Sequence, residues 1–341
     1  MGFFSFGRAW VLRGNIFGVL STDARESQAE NMATKQFDIL GLGGVAVDDV
    51  IFVASYPPPD AKACVLNRQR RLGGLTSIAL ITAARLGATC AYAGVLGPDE
   101  LSRFALRSLR DERIDVSAAR QTKHARPIHS NIVVDQQRGT RNIFFDVRKV
   151  VGARRDVPAT LIAKSRVLLI DNLGVQGMIR AARLARRAHV PVVADLESGH
   201  DPGCTELLRL TDHLILPQEF VMAFTRKKSA VSALKALAEG GHEVVVMTCG
   251  AKGCWYMERG MKAPRHQNAF KVNAADTTGC GDVFHGAYAF GLARNFSLEE
   301  RIRLASAAAA LKAQEGGSIE GIPSLGKVRK LMNHELDNQT D

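Results

Sequence analysis

The sequence predicts an α/β fold, with a central mostly parallel sheet, helices on both of its faces and a small second sheet projecting from it. Three observations predict it. Short apolar strands alternate with helical segments along most of the chain. The segment Glu243 to Thr248 is apolar almost throughout, as a strand covered on both faces must be. Two stretches, 50–71 and 128–145, break the alternation with hairpin patterns too short to hold a crossover helix.

Each element has its own signal. Phe37-Asp38-Ile39-Leu40 is a short apolar strand that runs into Gly41, Gly43 and Gly44, where backbone can come close to a ligand or a neighbouring element. Val50 to Val53, the turn Pro57-Pro58-Pro59-Asp60 and Cys64 to Arg70 make the first hairpin. Gly73-Gly74 precedes a helix from Thr76 to Leu86, which Gly87 ends; a strand from Cys90 to Val95 and a helix from Glu100 to Arg110 follow. The second hairpin is Ile128 to Val134, a turn at Gln136 to Gly139, and Arg141 to Phe145. Strands at Val167 to Ile170, Pro191 to Ala194 and His213 to Leu216 then alternate with helices at Val175 to Arg187 and Ser229 to Ala238. The last part is helical: Gly281 to Leu292, then an Ala-rich helix 298–314 opened by the capping box Ser297 and Glu300 and stopped by Gly316-Gly317. Ser324 caps a final helix to about Met332. The two hairpins are read as strands of the small projecting sheet, an antiparallel edge on the main sheet being the alternative.

Composition narrows the class. A chain of 341 residues, 46% hydrophobic and 23% charged, supports one large domain without disulfides or metal staples. The net charge of +11 favours anionic partners in general. Its basic clusters (Arg68, Arg70, Arg71; Arg183, Arg186, Arg187; Lys327, Arg329, Lys330) sit beside no nucleic-acid-reading motif, so they are read as solvated surface. No nucleic-acid partner is expected. Nor is a membrane span, since no apolar run is long enough. Six dispersed cysteines suit a reduced, cytoplasmic protein, and Cys249 and Cys254 are too isolated for a zinc site. Residues 1–35 are interrupted by Arg8 and Arg13 and lack the order of a secretory signal. They are read as a dispensable flexible extension with Met32 a candidate start, a partner-binding or interface helix being the alternative, and 334–341 as a polar tail; the domain between them is 36–333.

The segment richest in chemistry is Asp276-Thr277-Thr278-Gly279-Cys280-Gly281-Asp282. Small residues at the start of a helix leave N–H groups approachable by an anion. Asp282 sits in that helix's first turn. Either it caps a tightly packed helix, or it accepts a proton from an alcohol attacking a bound phosphoryl group. No G-x-x-x-x-G-K-[ST] motif occurs, so a P-loop is not supported.

This segment resembles the second signature of the ribokinase-like, PfkB-type carbohydrate and nucleoside kinases, with Cys280 where Ala is usual. Gly73-Gly74 through Gly87, with Gly94 and Gly97-Pro98-Asp99-Glu100, resembles the first. The resemblance runs from about Phe37 to Met332 and implies a three-layer α/β/α ribokinase-like fold with a β-sheet lid. It implies transfer of the γ-phosphoryl group of ATP to a sugar hydroxyl. Asp282 is the implied base, and the amides of Gly279, Cys280 and Gly281 the implied anion hole. Asp48, taken as the end of the first strand, is implied to hold sugar hydroxyls, with Gly73 and Gly74 letting the chain pass close to the sugar. Thr248, Gly250, Gly253, Thr277 and Ala309 are implied nucleotide contacts. Mg2+ accompanies ATP, and K+ is carried as an expectation. The two hairpins match a lid that often forms a homodimer contact.

Departures from the pattern mark open points. The usual Asn nine residues before Gly87 is Ile78, so the substrate has fewer hydroxyls there or another residue satisfies it. The usual Asn-x-x-Glu is Gln218-Glu219-Phe220-Val221, leaving Glu219 as a weak candidate for magnesium-bound water. This form looks closer to a ketohexose or modified-ketohexose kinase branch than to ribokinase. Cys280 is either a reactive thiol activated by a helix N-terminus or a small replacement for Ala. His285 is read as a packing or substrate-side residue. Arg141 and Arg148 are candidates for an acidic group on the substrate, the alternative being solvated lid charge. A nucleoside kinase using Phe52 and Tyr56 as a base platform, and a non-catalytic sugar or nucleotide sensor, are the competing functions.

Overall fold

The computed structural model describes residues 35–150, 152–197, 202–315, 317 and 319–337. The N-terminal extension through residue 34, Gly316 of the expected stop and residues 338–341 of the expected tail lie outside the described residues. From Gln36 onward the chain is one unit.

In chain order the unit begins with β1 (Phe37–Leu42), β2 (Ala46–Val53), β3 (Val65–Gly73), α1 (Leu75–Arg85), β4 (Cys90–Tyr92), β5 (Gly94–Leu96) and α2 (Glu100–Asp111). Next come β6 (Arg120–Gln121), β7 (Ile128–Asp135), β8 (Thr140–Asp146), β9 (Gly152–Ala153), α3 (Ala159–Ala163), β10 (Ser165–Ile170), α4 (Val175–Arg187), β11 (Val192–Asp195) and α5 (Cys204–Leu210). The rest is β12 (His213–Pro217), α6 (Gln218–Thr225), α7 (Ala230–Ala238), β13 (Val244–Thr248), β14 (Cys254–Glu258), β15 (Arg265–Gln267), α8 (Cys280–Ala293), α9 (Leu298–Glu315) and α10 (Leu325–Asp337).

The main sheet has the order β15-β14-β13-β12-β11-β10-β1-β4. From β13 to β4 every pairing is parallel, and β14 and β15 add an antiparallel edge. Alternation along the strands builds two cores. Ile39, Val167, Leu169 and Ile215 pack with α1, α2, α8, α9 and α10 on one face. Leu40, Leu168, Ile170 and Leu214 pack with α3 to α7 on the other. Successive strand residues point to opposite faces, so a strand buried on both sides must be apolar throughout, which is the three-layer α/β/α arrangement.

The hairpins at 50–71 and 128–145 combine into one separate sheet, β3-β2-β7-β8, with β2 and β7 parallel between two antiparallel pairs. The antiparallel edge of the main sheet belongs instead to β14 and β15, outside either hairpin. The capping box forms reciprocally: the Ser297 N–H donates to Glu300 Oε2 at 2.9 Å and the Glu300 N–H to Ser297 Oγ at 3.3 Å.

Three sequence expectations need correction. Asp48 lies within β2, in the lid sheet, because the first strand ends at Leu42 and the Gly43-Gly44 turn intervenes. The segment 90–95 is two strands in different sheets, broken at Ala93, whose N–H donates to the Gly41 carbonyl. The final helix continues past Met332 to Asp337, so the polar tail begins as helix.

Candidate active site

Parallel α/β sheets gather their ligands outside the carboxyl ends of the strands. Here those ends place β1 before Gly43-Gly44, β10 before Asp171, Asp195 at the end of β11, Pro217 at the end of β12 and Thr248 at the end of β13. Asp171 is buried and fixes the turn that follows β1. It accepts from the Gly44 N–H at 2.6 Å, the Leu173 N–H at 2.8 Å and the Thr76 hydroxyl at 2.8 Å. Burial pushes its carboxyl up to about 6 despite these donors.

Helix α8 starts at Cys280 without a side-chain cap, behind Gly279 in the left-handed conformation (φ 76°). A tight turn leads in. The Cys280 N–H donates to the Thr277 carbonyl at 3.3 Å, and Asp276 Oδ1 accepts from the Thr278 N–H and hydroxyl at 2.9 and 2.7 Å. Gly281 is exposed, with open space beside its Cα. Asp282, in the first turn, faces back across this opening: its Oδ2 lies 3.6 Å from where a Cβ on Gly279 would stand.

Asp282 feels Asp195, Glu197 and Asp171 as nearby negative charges. Burial first, and these carboxylates second, push its carboxyl well above the usual range, and Asp195 moves the same way. Two carboxyl groups that interact this strongly titrate as a coupled pair. His285, one turn further along α8, is buried against them. Its Nδ1 lies 2.8 Å from the Gly281 carbonyl and 3.1 Å from Asp195 Oδ2, and its Nε2 lies 3.1 Å from the Ile215 carbonyl. The ring bridges α8 to β12 and packs against Asp195.

The lid supplies a second cluster. Asp48 on β2 accepts from Ser130, its register partner on β7, and burial raises its carboxyl above the usual range. A Cβ on Gly73 would stand 2.7 Å from Asp48 Oδ2, so only glycine leaves this carboxylate its place. Gly74 caps α1 at φ 100°, where an added Cβ would meet backbone of Gly44, Val45 and Ala46 at 2.6–2.8 Å. One turn on, the Ile78 N–H donates to the Gly74 carbonyl at 3.0 Å. The Ile78 side chain reaches 3.9 Å from the same Gly279 Cβ point that Asp282 approaches. The lid glycines, Ile78, Gly279 and Asp282 therefore form one continuous wall.

Arg141 of β8 is not free to meet a ligand in this conformation: it donates to Asp276 Oδ1 at 3.0 Å, tying the lid to the turn before α8. Against burial, the Thr278 hydrogen bonds and Arg141 hold the Asp276 carboxyl below the usual range. Arg148 is paired with Asp146 and remains solvated. Among the expected nucleotide contacts, Thr248 leads into a closed turn in which the Cys249 N–H donates to the Gly253 carbonyl at 2.7 Å and the Gly253 N–H to the Gly250 carbonyl at 3.0 Å. Ala309 is half-buried on α9, and Glu219 is exposed in the first turn of α6, directly after β12. The Cys280 thiol is not activated: burial pushes it up to about 11 against the opposing charge of Lys312, with Asp276 and Asp282 adding smaller upward pushes.

Two residues of this region escaped the sequence reading. Asp195 had a signal, an acidic residue closing an apolar parallel strand, on the edge where such sheets bind ligands. Lys312 had one too: it stands four residues after buried Ala308 and eight after buried Leu304, on the apolar stripe of α9. Two open clefts of 420 and 490 Å³, lined in part by Lys123, Arg126 and Lys149 and by Arg120, Arg154 and Arg155, include no residue of the Asp276–Asp282 turn.

Residues 43–325 match the sequence profile described as pfkB family carbohydrate kinase. The chain is 28% identical over 315 residues to the ribokinase of Haemophilus influenzae, covering 86% of this chain and 97% of that one. It is 25% identical over 327 residues to fructokinase-1 of Oryza sativa, covering 88% and 99%. The fold is similar to that of Arabidopsis thaliana ribokinase complexed with ribose and ATP (TM-score 0.77, 22% identity, 87% of this chain and 98% of that one). It is also similar to that of a Xylella fastidiosa fructokinase with bound ATP (TM-score 0.73, 18% identity, 87% and 99%).

Proposed function

Because the chain belongs to the pfkB family of carbohydrate kinases, we propose that it phosphorylates a hydroxyl of a ketohexose or modified ketohexose, with Asp282 as the base. One observation carries the reading: a carboxyl of raised basicity faces the uncapped, glycine-lined start of α8. An anionic phosphoryl group is favoured at such a helix end. The acceptor oxygen bonds to the γ-phosphorus as the bond from phosphorus to the bridging oxygen breaks. ADP leaves with that electron pair, and the acceptor's proton passes to Asp282. Asp48 orients the acceptor through its hydroxyls, and closure of the lid sheet keeps water from taking the phosphoryl group.

Ile78 shapes the choice of sugar. A branched apolar side chain beside Gly279 offers no hydrogen bond, so an acceptor lacking a hydroxyl on that side fits best. Several relatives are 5-dehydro-2-deoxygluconokinases, whose name describes a modified, deoxygenated sugar.

The residues present suit a magnesium ion that arrives on ATP. Among the described residues no group of three or more His, Cys, Asp or Glu is arranged to hold a metal by itself. Mg2+ keeps most of its waters and needs only one or two carboxylates beside the phosphates. We assign those waters to Asp195, at the end of β11, and Glu219, in the first turn of α6. The ion supplies neutralisation of phosphate charge during transfer.

ATP consumption measured with ketoses, deoxy sugar acids, aldoses and nucleosides tests the reading. Turnover confined to ketoses or their deoxy and acid derivatives supports it. Turnover with nucleosides alone moves the assignment to the nucleoside branch, and ATP binding without turnover on any acceptor makes the chain a sensor. Replacing K+ by tetramethylammonium in the same assay tests the potassium expectation, with a lower kcat anticipated. The lid also favours a homodimer: on its outer strand β8, Phe144 and Phe145 are 55% and 67% exposed, beside exposed Ile143. Sedimentation of the full chain as a monomer at micromolar concentration would remove that assignment.

A further inference from the structure

Among the described residues, Arg301 is the buried arginine and Lys312 the buried lysine. They differ in company. Arg301 donates to the Tyr288 hydroxyl at 3.2 Å and stacks over that ring at 5.2 Å. Lys312 is 0% exposed, and its Nζ has no hydrogen-bond partner. An ammonium group held out of water without a partner costs several kcal/mol. Such a group persists where an anion comes to meet it.

Its surroundings say which anion. Lys312 Cε stands 4.0 Å from the Gly279 Cβ point that Asp282 Oδ2 approaches to 3.6 Å and Ile78 Cγ2 to 3.9 Å. The Lys312 stem therefore ends beneath the turn before α8, around the same point that the Asp282 carboxyl and the apolar Ile78 side chain approach. The next residue locks it there: the Ala313 carbonyl accepts from the Ala275 N–H at 2.8 Å and the Asp276 N–H at 3.1 Å, clamping the end of α9 to the turn. A helix start alone would hold an anion weakly. A fixed positive charge in a water-poor wall multiplies the attraction.

We propose that Lys312 is a catalytic residue of the phosphoryl transfer, donating from Nζ to the γ-phosphoryl oxygens of ATP as the bond to ADP breaks and the acceptor's proton moves to Asp282. The assignment rests on the kinase reading and adds to it the group that meets the charge on the transferring phosphoryl. Lys312 also gives Ile78 a reason: an apolar neighbour keeps the local dielectric low where the ion pair forms. Lysine rather than arginine suits the place, since a compact point charge on a long stem can follow the phosphoryl group between donor and acceptor.

The test uses the full chain with Lys312→Met, similar in length and uncharged. The expected result is a kcat about 10²- to 10³-fold lower, as for removal of one positioned charge-stabilising donor, with the sugar KM within threefold of wild type. Melting temperature should stay level or rise, since a lone buried charge has been removed. ADP affinity should stay within threefold, whereas binding of ADP with aluminium fluoride, a mimic of the transferring group, should fall at least tenfold. Lys312→Gln serves as the second variant, should the methionine variant not fold, with the same outcomes expected. A kcat within threefold of wild type overturns the assignment, as does a lowered melting temperature with a matching loss of ADP affinity, which marks a structural lysine. A wild-type protein that turns over no acceptor and binds neither nucleotide species fails at the kinase reading itself, and Lys312 falls with it; wild-type turnover with an unaffected variant sinks Lys312 alone.

Discussion

Gly74 joins the lid to the first helix, and replacing it with alanine should show how tightly that junction is built. Its φ of 100° and ψ of 143° lie where essentially only glycine rests, so the backbone strain alone is about 1–3 kcal/mol. The added Cβ would also meet Ala46 N at 2.6 Å and Gly44 O and Val45 Cα at 2.8 Å, all backbone atoms that cannot rotate away. Overpacking of this kind costs roughly 1–3 kcal/mol more. Gly241 is the control: its φ is 83°, but nothing stands within 4 Å of an added Cβ, so Gly241→Ala carries strain alone. Denaturant unfolding should therefore find Gly74→Ala less stable than Gly241→Ala by at least about 1 kcal/mol. The shift that relieves the clash displaces β2 near Asp48, so the sugar KM should rise while the ATP KM holds. Equal destabilisation of the two variants, or a Gly74→Ala enzyme with unchanged sugar KM, would refute the reasoning.

Three further outcomes follow from the titration of this site. Asp282 must be ionised to accept a proton, and its pKa is raised by burial and by Asp195, so kcat/KM should fall with falling pH well above 3.8, the ordinary carboxylate value. Asp195→Asn removes the nearest negative charge, which should move that acid limb to lower pH; a pH–rate profile whose limb does not move contradicts the coupling. Cys280, pushed up to about 11, should alkylate more slowly at pH 7.5 than exposed Cys64, as read by mass spectrometry of peptides, and faster labelling of Cys280 would restore the activated-thiol reading.

The sequence carried the fold where local signals were strong. Val175–Arg187 has its apolar period and basic last turn, and the helix runs over those residues. Ser297 and Glu300 announce a helix start that forms as read. What it could not carry was long-range. The β14–β15 edge of the main sheet is five and three residues of mixed polarity, with no periodicity that separates it from loop. The Arg141–Asp276 pair joins residues 135 positions apart, and nothing local to either marks it. In the site, the glycines and Asp282 were legible because backbone approach and an acid beside it constrain residue type. Lys312 was hidden by its setting, a charge inside an alanine-rich stripe read for packing, and Asp195 by ending a strand read for its core.

The central claim is that the Asp282 carboxyl removes the acceptor's proton. Single-turnover phosphoryl transfer by Asp282→Asn, with ATP binding measured on the same sample, tests it most directly. Loss of roughly 10²-fold or more in the transfer rate with ATP affinity within threefold is the predicted result, since amide and carboxyl fill the same space and only the proton acceptor is gone. A folded Asp282→Asn protein that transfers phosphate at the wild-type rate would contradict the account.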